Sequence, residues 1–408
     1  MDNNDELREV YLDNASTTKV SDEAMKIVAN DLKSKWYNPS GLYSYSNQSK
    51  KLLENIRETT KFLLNADKKD KIVFTSSGCE ANSLAIDPDY IILYDPLSHS
   101  SIIDKCKWLK SHDLTNNIVE SIGVSRCGKI DLVDLYSKII YYMVNTMDKK
   151  GIIISICAGN NEIGTIQDLI AIRKTIESAK RHAEYSTSEK FDVYLHVDAV
   201  QLYADRGNYW LDVKGNNIDM MTLSGHKIGC PAGVGLLYIK DGVDISPIIF
   251  GEQEYGLRGG TENLAYIHAF LNAMIDQNKS SEEINNLVKI RDYFIKLLKH
   301  TEKFELVGHA TDRLSNNVSG FFKNVDGQSL LLYLDSYGIQ CSTGSACNSF
   351  NRSQSHVLRE LGYPESEYGF IRFTLNQNTS IEDIDYVYGI IQQYYKSLEA
   401  KETEENVL

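Results

Sequence analysis

Between residues 72 and 240, short apolar runs alternate with amphipathic stretches. Runs at 71–76, 90–94, 151–157, 193–197, 220–223 and 233–239 are rich in Ile, Val, Leu and Tyr, as buried strands are. Stretches 101–110 and 168–183 between them repeat their apolar residues at helical spacing. Strand alternating with helix predicts a mostly parallel sheet covered by helices on both faces. Ligands of such sheets gather in the loops at the carboxyl ends of the strands.

Beyond residue 262 the order changes. A helical connector over 262–300 leads to strands at 304–307 and 316–322, a helix at 327–336, a strand at 370–375 and a helix at 381–398. This predicts a smaller α+β domain. The expected division is a large domain over 15–262, a small domain built from 1–14 and 263–398, and a charged, frayed tail over 399–408.

Charge and cysteine usage exclude several function classes. The formal net charge is -13 and no basic stripe stands out, so direct nucleic-acid binding is not expected. No run reaches the ~18 apolar residues of a membrane span. Residues 1–10 are acidic and polar, unlike a secretory or transit segment, and the expectation is a cytoplasmic protein. Seven scattered cysteines without a Cys-x-x-Cys pair argue against a disulfide framework and against a metal site, structural zinc included.

The chemistry sits at the strand ends. His196-Val197-Asp198-Ala199-Val200-Gln201 and Ser224-Gly225-His226-Lys227 each close a predicted strand, so both can project into one cleft. An acid and a lysine so placed suit a pyridine aldehyde cofactor. The carboxylate keeps the ring nitrogen protonated, and the amine forms a Schiff base with the aldehyde. The turn Thr75-Ser76-Ser77-Gly78-Cys79-Glu80 joins a strand to a helix and suits either phosphate binding or simple helix capping. His99 follows another strand and suits ring stacking and proton transfer. Asn160-Asn161-Glu162-Ile163-Gly164 offers neutral amides or an ordinary turn. Cys347 lies in a run of small polar residues, Cys341 to Ser349, with no apolar periodicity. That composition suits a mobile loop and makes Cys347 the best candidate nucleophile of the seven cysteines.

Together these motifs resemble a cysteine desulfurase of group I in the class V aminotransferase family, of pyridoxal-phosphate fold type I. The likeness runs from Tyr11 to about Leu398. It includes Tyr11-Leu12-Asp13-Asn14-Ala15-Ser16-Thr17-Thr18, Asn38-Pro39-Ser40, Arg258-Gly259-Gly260-Thr261-Glu262-Asn263, Ser342-Thr343-Gly344-Ser345-Ala346-Cys347 and Ile371-Arg372-Phe373.

The resemblance implies an α/β fold with a mostly parallel seven-stranded sheet plus a smaller α+β domain, and pyridoxal 5'-phosphate as cofactor. It implies that Lys227 carries the cofactor, Asp198 pairs with the ring nitrogen, Gln201 meets the ring hydroxyl and His99 stacks on the ring. Gly78, Cys79, Ser224 and His226 would hold the phosphate. Thr261 would reach the phosphate bound by a second copy, which implies a homodimer. Arg372, helped by Asn38 and Asn161, would grip the carboxylate of L-cysteine. Cys347 would take the sulfur as a persulfide and pass it to an acceptor protein, an iron–sulfur scaffold or a tRNA-thiolation enzyme.

Departures from the family pattern are Tyr43, Cys79, Ser83, Glu252 and Tyr255, and a shortened crossover over 86–98. Two other readings compete. One is a selenocysteine lyase or another class V enzyme. The other is a non-catalytic sulfur-trafficking partner.

Overall fold

The computed structural model describes residues 8–112, 116–146, 148–185, 191–207, 211–277, 279–343, 355–363 and 368–405. The first part of the chain runs β1 (Val10–Tyr11), α1 (Asp22–Ser34), α2 (Ser44–Leu63), β2 (Lys71–Thr75), α3 (Gly78–Ala85), β3 (Ile91–Tyr94), α4 (Ser100–Ser111), β4 (Val119–Ser121) and α5 (Leu132–Asn145). It continues with β5 (Gly151–Cys157), α6 (Leu169–Glu184), β6 (Asp192–Asp198), α7 (Val200–Arg206), β7 (Met220–Ser224) and β8 (Gly235–Ile239).

Seven of these strands form one sheet in the order β2-β8-β7-β6-β5-β3-β4, and β8 alone runs against the others. Alternate side chains feed two cores. Ile152 and Ile154 pack under α5 and α6, while Ile153 packs with Val73, Ile92 and Leu237 under α3 and α4. A strand buried on both faces needs a nearly continuous apolar run, and β5 has one broken only by Ser155, which is paired with His196. Gly235 is required by a close approach: a Cβ there would lie 2.5 Å from the Ser77 carbonyl carbon. Only glycine lets β8 start against the turn that opens α3.

The shortened crossover is a tight turn. Asp87 accepts from Asp89 N at 2.9 Å and from Ser246 N at 2.7 Å, which leads α3 almost directly into β3.

The remainder runs α8 (Leu264–Asp276), α9 (Ser281–His300), β9 (Phe304–Leu306), β10 (Asn317–Lys323), α10 (Gly327–Asp335), β11 (Ile339–Gln340), α11 (His356–Glu360), β12 (Tyr368–Thr374) and α12 (Ile381–Glu405). The order β12-β10-β9 is antiparallel, and β1 pairs with β11. Val10 and Leu12 join Phe294, Phe322 and Phe373 in a separate core.

Two expectations need correction. The connector over 262–300 is not one helix but two. Ser280 and Glu283 form a reciprocal capping box that starts α9 afresh, and Lys279 is tied to the Ala204 carbonyl at 2.7 Å. The charged tail is helical to Glu405 rather than frayed from 399. Its Glu and Lys residues are good helix formers, and Glu399 meets Lys303 at 2.6 Å.

Candidate active site

A cavity of about 440 Å³ opens at the carboxyl ends of β2, β5, β6 and β7. Asp198, Lys227, His99, Gly78, Gln201 and Arg372 all line it. They come from elements far apart in sequence, and the sheet's strand order brings them together.

Asp198 is the last residue of β6 and is buried. It accepts from Asn82 Nδ2 at 2.8 Å and from Val200 N at 3.1 Å. Lys227 ends a short 3-10 turn that follows β7. Its Nζ donates to the carbonyls of Ala15 at 2.6 Å and Ser16 at 2.5 Å. Gln201 donates to the same Ala15 carbonyl at 2.9 Å. The N-terminal segment therefore orients both side chains.

His99 caps α4, with Nδ1 facing Ser101 N at 3.2 Å and Ser101 Oγ at 2.9 Å. Burial pushes its pKa down, and Lys227 adds to that against the opposing pull of Asp198. His226 lines the cavity beside Lys227 and is pushed down to about 4, by burial first and then by Lys227 and His99. Beneath the site, His196 bridges Ser155 at 2.9 Å and Thr222 at 3.0 Å between the strands. Burial pushes it down to about 3, so it is a neutral spacer.

The turn opening α3 brings Ser77, Gly78 and Cys79 to the cavity. Ser77 caps the helix by accepting from Glu80 N. A Cβ on Gly78 would meet Ser224 Cβ at 3.2 Å, so turn and strand end close on each other. Burial opposes ionisation of Glu80, yet bonds from Arg258 and Ser76 outweigh it and hold the carboxyl low. Arg258 is thereby tied to the turn at 2.8 Å.

Arg372 enters from β12 and is buried. Asn161 lines the cavity and offers its backbone carbonyl to Arg372 Nη1 at 3.1 Å. Asn160 instead shapes the turn, donating to the Leu97 carbonyl at 2.8 Å.

Not every expected residue arrives. Asn38 is exposed and outside the cavity wall, where its side chain accepts from Ser40 N at 2.9 Å. Thr261 is exposed and also outside it. Glu252 is exposed away from the wall, and Tyr255 covers Arg57 with its ring 5.2 Å away. Tyr43 packs edge-on to Tyr37. Cys347 lies outside the described residues.

Two polar wall residues were not anticipated. Glu162 stands inside the quoted 160–164 run; burial pushes its carboxyl up, and Ser355 donates to it. Asn82 lies one helical turn beyond Gly78 on the same face of α3.

The donor set fits pyridoxal phosphate. It combines an amine, a carboxylate, an imidazole and a hydroxyl-lined helix start. Two wall residues, Asn82 and Arg372, also keep a buried polar atom, Oδ1 and Nε, without a partner among the described residues.

This sheet order, with an acid and a lysine at adjacent strand ends, defines a pyridoxal-phosphate α/β protein of fold type I. The chain belongs to the aminotransferase class-V family, whose model matches residues 10–387. It is similar to a protein named cysteine desulfurase IscS from Dictyoglomus turgidum, 34% identical over 406 residues, covering 96% of this chain and 95% of that one. A protein of the same name from Methanosarcina thermophila is 35% identical over 404 residues, covering 96% and 93%. Among solved structures, a NifS-like protein from Rickettsia africae is 26% identical, with a TM-score of 0.81 over 95% of this chain and 100% of that one.

Proposed function

We propose that the protein is a pyridoxal-phosphate-dependent cysteine desulfurase, which converts L-cysteine to L-alanine and keeps the sulfur as a persulfide on Cys347. The supporting observation is a single cavity that holds Lys227, Asp198 and Arg372. A cofactor amine, a ring-nitrogen partner and a carboxylate grip are what an amino-acid substrate on this cofactor needs.

When bound, the cofactor supplies an electron sink for the substrate's carbon skeleton. Lys227 is the amine that would hold it, and Asp198 would pair with its ring nitrogen. Ser224, His226 and the Gly78–Cys79 turn would receive its phosphate. His99 would cover the ring, and its depressed pKa keeps a neutral imidazole ready to accept a proton. Arg372 binds the substrate carboxylate through two parallel hydrogen bonds. The Cys347 thiolate attacks the substrate sulfur. A sulfur–sulfur bond forms and the carbon–sulfur bond breaks. The electron pair stays on carbon, which gains a proton and leaves as alanine.

The working form is read as a homodimer in the cytoplasm. Thr261, exposed and off its own cavity wall, would serve a second copy's site. The sulfur acceptor is a partner protein, an iron–sulfur scaffold or a tRNA-thiolation enzyme.

The test is a visible spectrum of purified protein with added cofactor, followed by assays for alanine and sulfide with cysteine. A cofactor band present in the native protein and lost in Lys227→Ala is expected, with alanine formed only by the native protein. Failure to bind pyridoxal phosphate would overturn the reading.

A further inference from the structure

Asp198 and His99 are joined through two side chains that take no part in the steps above. Asn82 Nδ2 donates to Asp198 Oδ2 at 2.8 Å and to Ser101 Oγ at 3.0 Å. Ser101 Oγ lies 2.9 Å from His99 Nδ1, and Ser101 N donates to the same nitrogen at 3.2 Å. We propose that Asn82 and Ser101 are positioning residues that fix His99 as a neutral imidazole with its proton on Nε2, in register with Asp198. This rests on the reading of the cavity as a cofactor site.

The direction of each hydrogen bond follows from donor counting. A primary amide has two N–H groups, and Asn82 directs one to Asp198 and one to Ser101. The amide cannot turn over, because that would set Oδ1 against the Asp198 carboxylate. Its Oδ1 is buried without a partner among the described residues, so Asp198 dictates the orientation rather than the amide's own satisfaction. The Ser101 hydroxyl accepts from Asn82 and has one hydrogen left, which goes to His99 Nδ1. The Ser101 backbone N–H points at that same nitrogen. Nδ1 is therefore an acceptor facing two donors, and a proton there would meet hydrogens instead of lone pairs. The only place left for the ring proton is Nε2, and the imidazolium is disfavoured because it needs both.

The charges around the ring do not reverse this. Burial and Lys227 oppose the imidazolium, whereas Asp198 and Asp104 favour it, and the net displacement of the pKa is downward. The consequence is a ring that stays neutral as a proton acceptor under conditions where an exposed histidine is partly charged.

The test is nitrogen NMR of protein labelled only at histidine, with and without pyridoxal phosphate. The His99 signals are assigned by their loss in His99→Gln. In the native protein Nδ1 should show the shift of an unprotonated ring nitrogen and Nε2 that of a protonated one. Ser101→Ala should give a mixture of tautomers and raise the His99 titration midpoint by about one pH unit. Ser101→Thr keeps the hydroxyl and should restore both. Asn82→Ala should move the midpoint in the same direction as Ser101→Ala. A protonated Nδ1 in the native protein, or a Ser101→Ala spectrum and midpoint equal to native, overturns the proposal. The measurement on cofactor-free protein stands even if the protein binds no pyridoxal phosphate, so failure of the desulfurase reading and failure of this inference are separable.

Discussion

Arg372 Nη2 lies 2.7 Å from Asp13 Oδ1, and the same nitrogen lies 2.7 Å from Ser16 Oγ. The guanidinium is thus held by the N-terminal segment that also holds Lys227. One acid partly balances the charge, while Nε has no partner among the described residues. A substrate carboxylate meets a cation whose orientation is already fixed, which lowers the entropy lost on binding.

Arg372→Lys should therefore raise KM for cysteine by about 30- to 100-fold, the cost of losing a paired, charge-assisted contact. The effect on kcat should be much smaller. Asp13→Asn loosens the same guanidinium and should raise KM by less than Arg372→Lys. Steady-state alanine formation measures both. An unchanged KM in Arg372→Lys would place the carboxylate elsewhere.

The second prediction concerns stability. Arg57 and Glu254 form a buried, two-pronged ion pair, with contacts of 2.7 and 2.5 Å. Glu254 also accepts from Phe74 N at 2.8 Å, and Arg57 donates to the Ile72 carbonyl at 2.5 Å. The pair fastens α2 and the 254 turn to β2. Glu254→Ala leaves a buried guanidinium without its acid and should lower unfolding free energy by about 3–5 kcal/mol. Replacing both, Arg57→Met with Glu254→Leu, should recover part of that. Denaturant midpoints decide it, and a loss under 1 kcal/mol in Glu254→Ala would show the pair to be weak by the scale of exposed pairs, about 0–1 kcal/mol.

The sheet was readable because its strands are buried on both faces, and each ends at a polar turn. The expected bounds of β5 coincide with the observed Gly151–Cys157 for that reason. The strand β4 escaped notice because its three residues, Val119–Ser121, are only half-buried at the sheet edge and carry no apolar run. The gap between α8 and α9 holds neither Gly nor Pro, and its one signal was Ser280 with Glu283. Asp198 and Lys227 could be found because a strand end by itself locates a ligand. Asn82 and Glu162 could not, since their roles depend on which side chains face them across the cavity. Asn38 and Thr261 were named by likeness alone, and neither reaches the cavity of its own chain.

The third prediction concerns the thiol. Cys106 and Cys230 are buried, and burial pushes each thiol up to about 12. Burial also pushes Cys157 and Cys341 well up. None of these four forms the thiolate that attack requires near neutral pH. Cys347→Ser should therefore keep the cofactor spectrum yet lose the protein-bound sulfur that native protein gains with cysteine, seen by intact mass as the addition of one sulfur atom. Cys127→Ser serves as the control and should retain it. Persulfide on Cys347→Ser protein would move the nucleophile to another cysteine.

The last prediction follows from a buried acid under the site. Asp95 directly follows β3 and is pushed up to about 7. Burial is the main cause and the Asp198 charge adds to it, against bonds from the Leu97 and Cys157 amides. The ordinary value of such a group is 3.8. Between those two values the folded protein holds a proton that the unfolded chain has lost, so stability falls as pH rises through this window. The contribution is fully present below the unfolded value and gone above the folded one. Its size is roughly 4–5 kcal/mol across the window, at about 1.4 kcal/mol per unit. Asp95→Asn cannot ionise and keeps an oxygen for the Leu97 amide. The Tm of the variant relative to native should therefore climb from pH 5 to pH 7 and level off by pH 8. Scanning calorimetry of both proteins over that range checks it. A Tm difference that does not change with pH would mean that Asp95 does not carry this proton.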